Sequence, residues 1–316
     1  MTTQHIMVLA GGLSHEREVS LRSGSRLAQA LRATGFDVTV RDADSQLLDW
    51  VAAHRPDAAV IALHGGRGEN GSVQAVLEMT GVPFVGTESR QCRLAWDKPT
   101  AKVLLRRASH LTPDWVTLSH NAFRDFGAAG LISALGSRFA FPLVVKPYQG
   151  GSALGTVIVH EAGEMPGALV GSLAYGDVLL VERYVAGTEV AVSVIESDDG
   201  PIALPPVEIV PSGEFFDYEA RYTAGMTTYH TPARLEPELM RAAADLALAA
   251  HSELGLRDVS RTDMIVTPSG EVHFLEVNVS PGLTETSMLP MSVTAADRTL
   301  GEIYDGLIGR AIGRGR

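Results

Sequence analysis

FPLVVKPYQGGSALGTVIV, residues 141–159, sets two short apolar runs on either side of a glycine-rich loop. The runs 141–146 and 156–160 are rich in β-branched residues and predict a pair of strands. The loop lacks the GK[ST] ending and the following helix of a nucleotide-binding P-loop. A glycine-rich hairpin is instead a flap, whose backbone N–H groups can close over phosphates. Lys146 ends the first run, where its ammonium could reach an anion. A tight turn carrying a surface lysine is the other reading of the same residues.

Three further stretches carry chemistry. In SRTDMIVTPSGEVHFLEVNVSPGLTETS (260–287), the runs 261–266 and 271–277 predict a hairpin around Pro268-Ser269-Gly270. Side chains alternate along a strand, so Glu276 and Asn278 share a face, and Asp263 can oppose them across the ladder. Three oxygen ligands with open positions suit Mg²⁺ held jointly with nucleotide phosphates. A solvated polar face is the alternative, but Phe274, Leu275 and Val277 imply a covered strand. In VLLVERYVAGTEV (178–190), an apolar strand ends in Glu182 and the next begins at Glu189. A carboxylate and free backbone groups at a strand end can bond an adenine edge, and a second carboxylate can take ribose hydroxyls. An exposed acidic turn fits equally well. In GGLSHEREVSLRSG (11–24), Ser20 can cap the following helix, and Glu16 could bind a substrate ammonium or serve a capping or surface role.

Around these stretches the chain changes character once. Over the first 90 residues, apolar runs at 5–10, 36–40, 58–63 and 81–85 alternate with helical patterns at 20–34, 46–53 and 73–79. That alternation predicts a parallel α/β sheet covered on both faces. Ligands in such sheets sit at the carboxyl ends of strands, and the loops 11–18 and 64–71 both follow predicted strands. From residue 89 onward the pattern is α+β. A lysine-bearing helix at 97–107 precedes strands at 141–146, 156–160, 177–182, 187–195 and 205–209. A polar aromatic segment follows at 215–229, then a long helix at 235–254, the hairpin, and a last helix near 300–312. Three domains are expected: 1–93, 94–185 with the flap, and 186–316 with the metal site and a mobile loop.

Composition narrows the function classes. The 316 residues carry a net charge of −11, against the basic footprint that non-specific nucleic-acid binding needs. No apolar stretch approaches the roughly 20 residues of a membrane span. The lone Cys92 cannot form an internal disulfide, and no cysteine cluster suggests zinc. The expectation is a cytoplasmic enzyme acting on small molecules, with Cys92 a structural, half-buried thiol.

Seven ordered motifs together resemble the D-alanine–D-alanine ligases of the ATP-grasp superfamily. They are GGLSHEREVSLRSG, ALHGGRGENGSVQAVLE (62–78), WDKPTAK (96–102), VVKPYQGGSALG (144–155), FFDYEARY (215–222), SRTDMI (260–265) and LEVNVSPGLTETSMLPM (275–291). The resemblance implies an N-terminal preATP-grasp domain followed by a two-lobed ATP-grasp fold. It implies ATP and two Mg²⁺ (or Mn²⁺) as cofactors, D-alanine as substrate, and a homodimer. Lys98 and Lys146 would hold phosphates under the loop bearing Gly151 and Ser152. Glu182, Arg183 and Val185 would contact adenine, the last two through backbone atoms, with Glu189 on ribose. Asp263, Glu276 and Asn278 would bind the metals. Glu16 would take the first substrate's ammonium, with His64 nearby. Arg261 and the Gly282 N–H would stabilise the oxyanion, and Ser287 would hold the second carboxylate. Tyr222 would sit on the mobile loop and link to Glu16 through Ser152.

Three positions depart from the family's habit: Ala153 for a second serine, Arg221 for the lysine against the γ-phosphate, and Thr286 for histidine. They leave open a related ligase of specialised metabolism that joins other D-amino or hydroxy acids. A nucleotide-binding regulatory protein with a dead site is a third reading, opposed by the joint retention of lysines, carboxylates and Arg261.

Overall fold

The computed structural model describes residues 3–223 and 225–315, apart from the side chain of Tyr222. The first strands are β1 (His5–Leu9), β2 (Asp37–Arg41), β3 (Ala58–Ile61) and β4 (Phe84–Val85). Between them run α1 (Arg17–Ala33), α2 (Leu47–His54), α3 (Gly66–Glu69) and α4 (Ser72–Thr80). All pair in parallel, in the order β2-β1-β3-β4. Alternation along β1 explains the two-sided cover: Ile6, Val8 and Ala10 enter one core with Leu27 and Leu31 of α1, and Met7 and Leu9 enter another with Leu47, Val51 and Leu77.

Next come α5 (Ser89–Trp96) and α6 (Lys98–Arg107), separated by Asp97, whose carboxylate accepts from the Thr100 N–H and caps α6. A second sheet, order β5-β8-β6-β7, is antiparallel. It consists of β5 (Trp115–Ser119), β6 (Leu143–Pro147), β7 (Val157–Val159) and β8 (Val178–Arg183). Helices α7 (His120–Phe126), α8 (Ala128–Arg138) and α9 (Met165–Leu173) belong to the same unit. Leu143, Val145, Leu179 and Val181 point into its core with Leu135 and Met165. By alternation Val144, Lys146, Leu180 and Glu182 lie on the other face.

The third sheet holds β9 (Thr188–Ser197), β10 (Gly200–Ala203), β11 (Val207–Pro211), β12 (Thr227–His230), β13 (Val259–Val266) and β14 (Val272–Asn278). Its order is β12-β11-β9-β13-β14, with β10 on β9. The short α10 (Tyr218–Tyr222) and the long α11 (Pro237–Glu253) interrupt these strands, and α12 (Met288–Ala295) and α13 (Leu300–Arg314) close the chain. One face of the sheet packs on α11, α5 and α6 through Val190, Val192, Met264, Phe274, Ala247 and Leu105. The last helix returns to the first sheet, where Ile303, Leu307 and Ile308 join Ile6 and Val8. This mixed α/β arrangement matches the fold expected from the sequence.

Differences from the sequence reading have physical causes. The strand expected at 81–85 is only Phe84–Val85, because Gly81 takes a left-handed conformation to end α4 and Pro83 follows. Ser20 does not cap α1, which begins three residues earlier. Its hydroxyl instead accepts from the Gly11 N–H at 2.8 Å and donates to the Ala62 carbonyl at 2.7 Å, joining the ends of β1 and β3. The 215–229 segment contains both α10 and β12. Helices α3, α5, α7, α8, α9 and α12 and strands β5 and β10 went unassigned: α7 buries no residue and α8 only Leu135, so neither carries a strong apolar stripe.

Candidate active site

A cleft opens between the second and third sheets and continues to the loops of the first. The β13–β14 hairpin supplies its floor. Register places Arg261 opposite Asn278 and Asp263 opposite Glu276, so all four share one face. Immediately after Asp263 the pairing shifts, and Met264 faces Phe274. The extra residue is Leu275, and this bulge lets Leu275 and Glu276 both line the cleft while Phe274 stays fully buried on the reverse face.

Cations surround that floor. Lys98 Nζ lies 3.3 Å from Glu276 Oε2 and donates to the Gly150 carbonyl at 2.7 Å, tying α6 to the flap. Arg261 forms a two-pronged pair with Asp263, Nε to Oδ1 at 2.7 Å and a second bond of 2.8 Å to Oδ2. Burial works to raise the Glu276 carboxyl, but Lys98, Lys146, Arg221 and Arg261 outweigh it and hold it down at about 2. Glu189 has less compensation: burial pushes it up to about 7 despite Arg221. The Arg221 guanidinium stacks 4.1 Å above the Phe216 ring. A planar cation suits that contact better than an ammonium, so the arginine at this position has a local partner.

The far wall carries a charged triad that the sequence reading only partly foresaw. Glu182 Oε1 is 2.5 Å from Lys146 Nζ, and Oε2 is 2.8 Å from Lys102 Nζ. Lys102 is fully buried, and burial pulls its ammonium down to about 8 although Glu182 opposes the shift. Arg183, Tyr184 and Val185 line the same end of the cleft.

The inner end is built by the first-sheet loops. Ser152 on the flap donates to Glu16 Oε1. Gly65 approaches Glu16 so closely that a Cβ there would lie 2.1 Å from Oε2, and its φ of +66° also favours glycine. His64 donates from Nδ1 to the Ser280 carbonyl at 3.0 Å, so its Nε2 accepts from the Ser23 hydroxyl at 2.7 Å. Burial lowers its pKa and so favours the neutral ring, in which Nε2 is the acceptor. Glu69, unremarked in the sequence, is buried beside it and accepts from the Gly65 N–H at 2.8 Å; burial and then Glu16 push it up to about 8. Gly282, Thr284, Thr286, Ser287 and Met288 line the other side of this pocket. The Tyr222 side chain lies outside the described residues.

The structure therefore brings Glu16, His64, Lys98, Lys146, Gly151, Ser152, Glu182, Arg183, Val185, Glu189, Arg221, Arg261, Asp263, Glu276, Asn278, Gly282 and Ser287 around one continuous cleft. Asp263, Glu276 and Asn278 offer hard oxygen donors on one face, a chemistry that fits Mg²⁺ or Mn²⁺. Among the described residues no three His, Cys, Asp or Glu side chains group as a metal site, so such an ion would need Asn278 and phosphate oxygens as well. Cys92 is fully buried, with its thiol pushed up to about 12 by burial, and takes no part.

Two antiparallel sheets facing each other across a flap-covered, lysine- and carboxylate-lined cleft define an ATP-grasp ligase. Residues 104–309 match the family model described as D-ala D-ala ligase C-terminus. The D-alanine–D-alanine ligase of Anaeromyxobacter dehalogenans (strain 2CP-C) is 38% identical over 307 residues, 97% of this chain and 96% of that protein. The enzyme of Methylocella silvestris is 42% identical over 313 residues, covering 97% of each. The structure is similar to the Bacillus anthracis D-alanine–D-alanine ligase complexed with ATP, at TM-score 0.82 and 29% identity, covering 100% of this chain and 99% of that one. It is also similar to the VanG D-Ala:D-Ser ligase from Enterococcus faecalis, at TM-score 0.82 and 27% identity, covering 98% and 100%. The chain belongs to the D-alanine–D-alanine ligase family.

Proposed function

We infer that this enzyme joins two D-alanine molecules into D-alanyl-D-alanine at the expense of ATP, in the synthesis of peptidoglycan precursors. The observation that carries this reading is the single cleft in which Lys98, Lys146, Glu276 and Arg261 meet the flap-bound Glu16.

The chemistry follows from what a carboxylate lacks. It is a poor electrophile, so an oxygen of the first D-alanine's carboxylate attacks the γ-phosphorus of ATP. A new C–O–P linkage forms, the bond to the β-phosphate oxygen breaks, and ADP leaves. Lys98 and Lys146 position the phosphates, and Arg221 lies against the γ-phosphate. Asp263, Glu276 and Asn278 would hold two Mg²⁺ or Mn²⁺ ions, whose charge when bound neutralises phosphate oxygens. Glu16 holds the first ammonium, and His64 shapes its pocket.

The second D-alanine's amine then attacks the acyl carbon. A C–N bond forms, the amine gives up a proton, and the C–O bond breaks to release phosphate. Arg261 and the Gly282 N–H face the oxyanion of the tetrahedral intermediate, and Ser287 holds the second carboxylate. Glu182, Arg183 and Val185 take the adenine, and Glu189 the ribose. An acyl phosphate hydrolyses in water, so the Gly151–Ser152 flap and the 215–229 segment act as lids.

The three expected domains, 1–93, 94–185 and 186–316, are proposed on the same footing, as are a homodimer and a cytoplasmic location. No described helix is long and apolar enough to cross a membrane. Sedimentation of the purified chain tests the dimer.

A second reading, ligation of D-alanine to another D-amino or hydroxy acid, draws on the clustered hydroxyls of Thr284, Thr286 and Ser287, with Thr284 and Ser287 oxygens 2.8 Å apart. Phosphate release with ATP, Mg²⁺ and D-alanine decides between them when repeated with D-serine, D-lactate and L-alanine. Release with D-alanine alone supports dipeptide synthesis. Release only on adding D-serine or D-lactate supports the second reading, and equal release with L-alanine contradicts both.

A further inference from the structure

Lys102 lies beyond the reach of any cleft ligand, yet it is a charged side chain with no exposed surface. A buried ammonium is expensive unless a carboxylate offsets it. Its partner is Glu182, through a 2.8 Å bond to Oε2, and its other neighbour is the Trp115 ring, 5.2 Å away. Trp115 sits directly opposite Glu182 on β5 and β8, and neither Trp115 nor Lys102 lines the cleft. Glu182 gives its remaining oxygen to Lys146, which does face the cleft. The three side chains carry two positive charges and one negative.

We propose that Lys102 is a positioning residue for the nucleotide: by offsetting Glu182 from behind, it leaves the charge of Lys146 available to the phosphates of ATP. Without Lys102, the Lys146–Glu182 pair is neutral overall, and the carboxylate holds the lysine ammonium to itself. With it, the pair presents one net positive charge to the cleft. This inference rests on the reading of the cleft as an ATP site, and it deepens that reading.

The test is steady-state kinetics on the full-length enzyme for Lys102→Met, Lys102→Gln and Lys102→Arg. Lys102→Met raises KM for ATP about tenfold, equivalent to one pKa unit of interaction, while kcat and KM for D-alanine stay within threefold. Lys102→Arg restores KM for ATP to within threefold of the parent. Lys102→Gln, which also removes the charge, raises KM for ATP by the same factor as Lys102→Met. An unchanged KM for ATP in Lys102→Met overturns the proposal, and so does a Lys102→Arg variant as weak as Lys102→Met. Should Lys102→Met not fold, Lys102→Gln decides alone: a KM for ATP raised about tenfold supports the proposal, and one within threefold of the parent overturns it. If the parent enzyme turns over no ATP, the functional reading fails instead, which separates the two failures.

Discussion

Asp263 and Glu276 stand directly opposite each other on β13 and β14, one step before the ladder slips at Leu275. The slip keeps Glu276 aimed into the cleft while Phe274 anchors the strand in the core behind it. Charge facing the cleft and core packing are thereby assigned to different residues of one short strand.

That separation makes Glu276→Gln informative. The substitution keeps volume and removes a carboxylate that four cations hold ionised. Phosphate release should fall by about 10²–10³-fold, the usual scale for losing a preorganised electrostatic contact. The thermal midpoint should move by only a few degrees. Turnover near that of the parent would rule out a metal or phosphate role for Glu276.

Ser152→Ala removes the hydroxyl that ties the flap to Glu16. Hydrogen bonds to charged groups contribute about 1.5–3 kcal/mol, so kcat/KM for the first D-alanine should drop roughly ten- to hundredfold. KM for ATP should change less than threefold. Equal losses for both substrates would mean that Ser152 serves the flap as a whole and not the Glu16 link.

Gly65→Ala places a methyl 2.1 Å from Glu16 Oε2, at a left-handed φ of +66°. Backbone strain of this kind costs on the order of 1–3 kcal/mol, and Glu16 must move. Stability by urea unfolding and activity should both decline. A variant with parental activity would show that Glu16 need not hold its present place.

Glu69 gives a pH signature. Its carboxyl is pushed up from an ordinary 4.5 to about 8 by burial and by Glu16. Between those values the unfolded chain has released this proton and the folded chain retains it, so the contribution of Glu69 to stability falls as pH rises from about 4.5 to 8. Glu69→Gln keeps an acceptor for the Gly65 N–H and has no proton to lose. Its stability relative to the parent should therefore increase across urea titrations at pH 5, 6, 7 and 8. A constant difference would show that Glu69 is ionised throughout.

Much of this was legible before any coordinates. The flap hairpin, the acidic hairpin and the parallel first sheet each follow from short apolar runs bounded by glycine, proline or helical patterns, and those signals are local. What escaped depended on three-dimensional context. Lys102 lies four residues after Lys98 on α6, on the face that also buries Ala101 and Leu105. A lysine on an apolar stripe was the available signal, but its partner is 80 residues away. The bulge at Leu275 breaks alternation without a glycine to announce it. Glu69, at the end of a glycine-rich turn, drew no reading, because nothing local shows that Glu16 and Gly65 close over it. Ser20 had the right chemistry for a cap, and the sheet used it for another purpose.

The central claim is that this cleft activates a carboxylate by phosphorylating it and then passes the acyl group to an amine. Carboxyl-¹⁸O-labelled D-alanine, turned over with unlabelled ATP and Mg²⁺, tests it most directly by mass spectrometry of the phosphate released. One labelled oxygen in each phosphate is the expected result, since the C–O bond of the acyl phosphate is the one that breaks. Phosphate free of label would contradict the account.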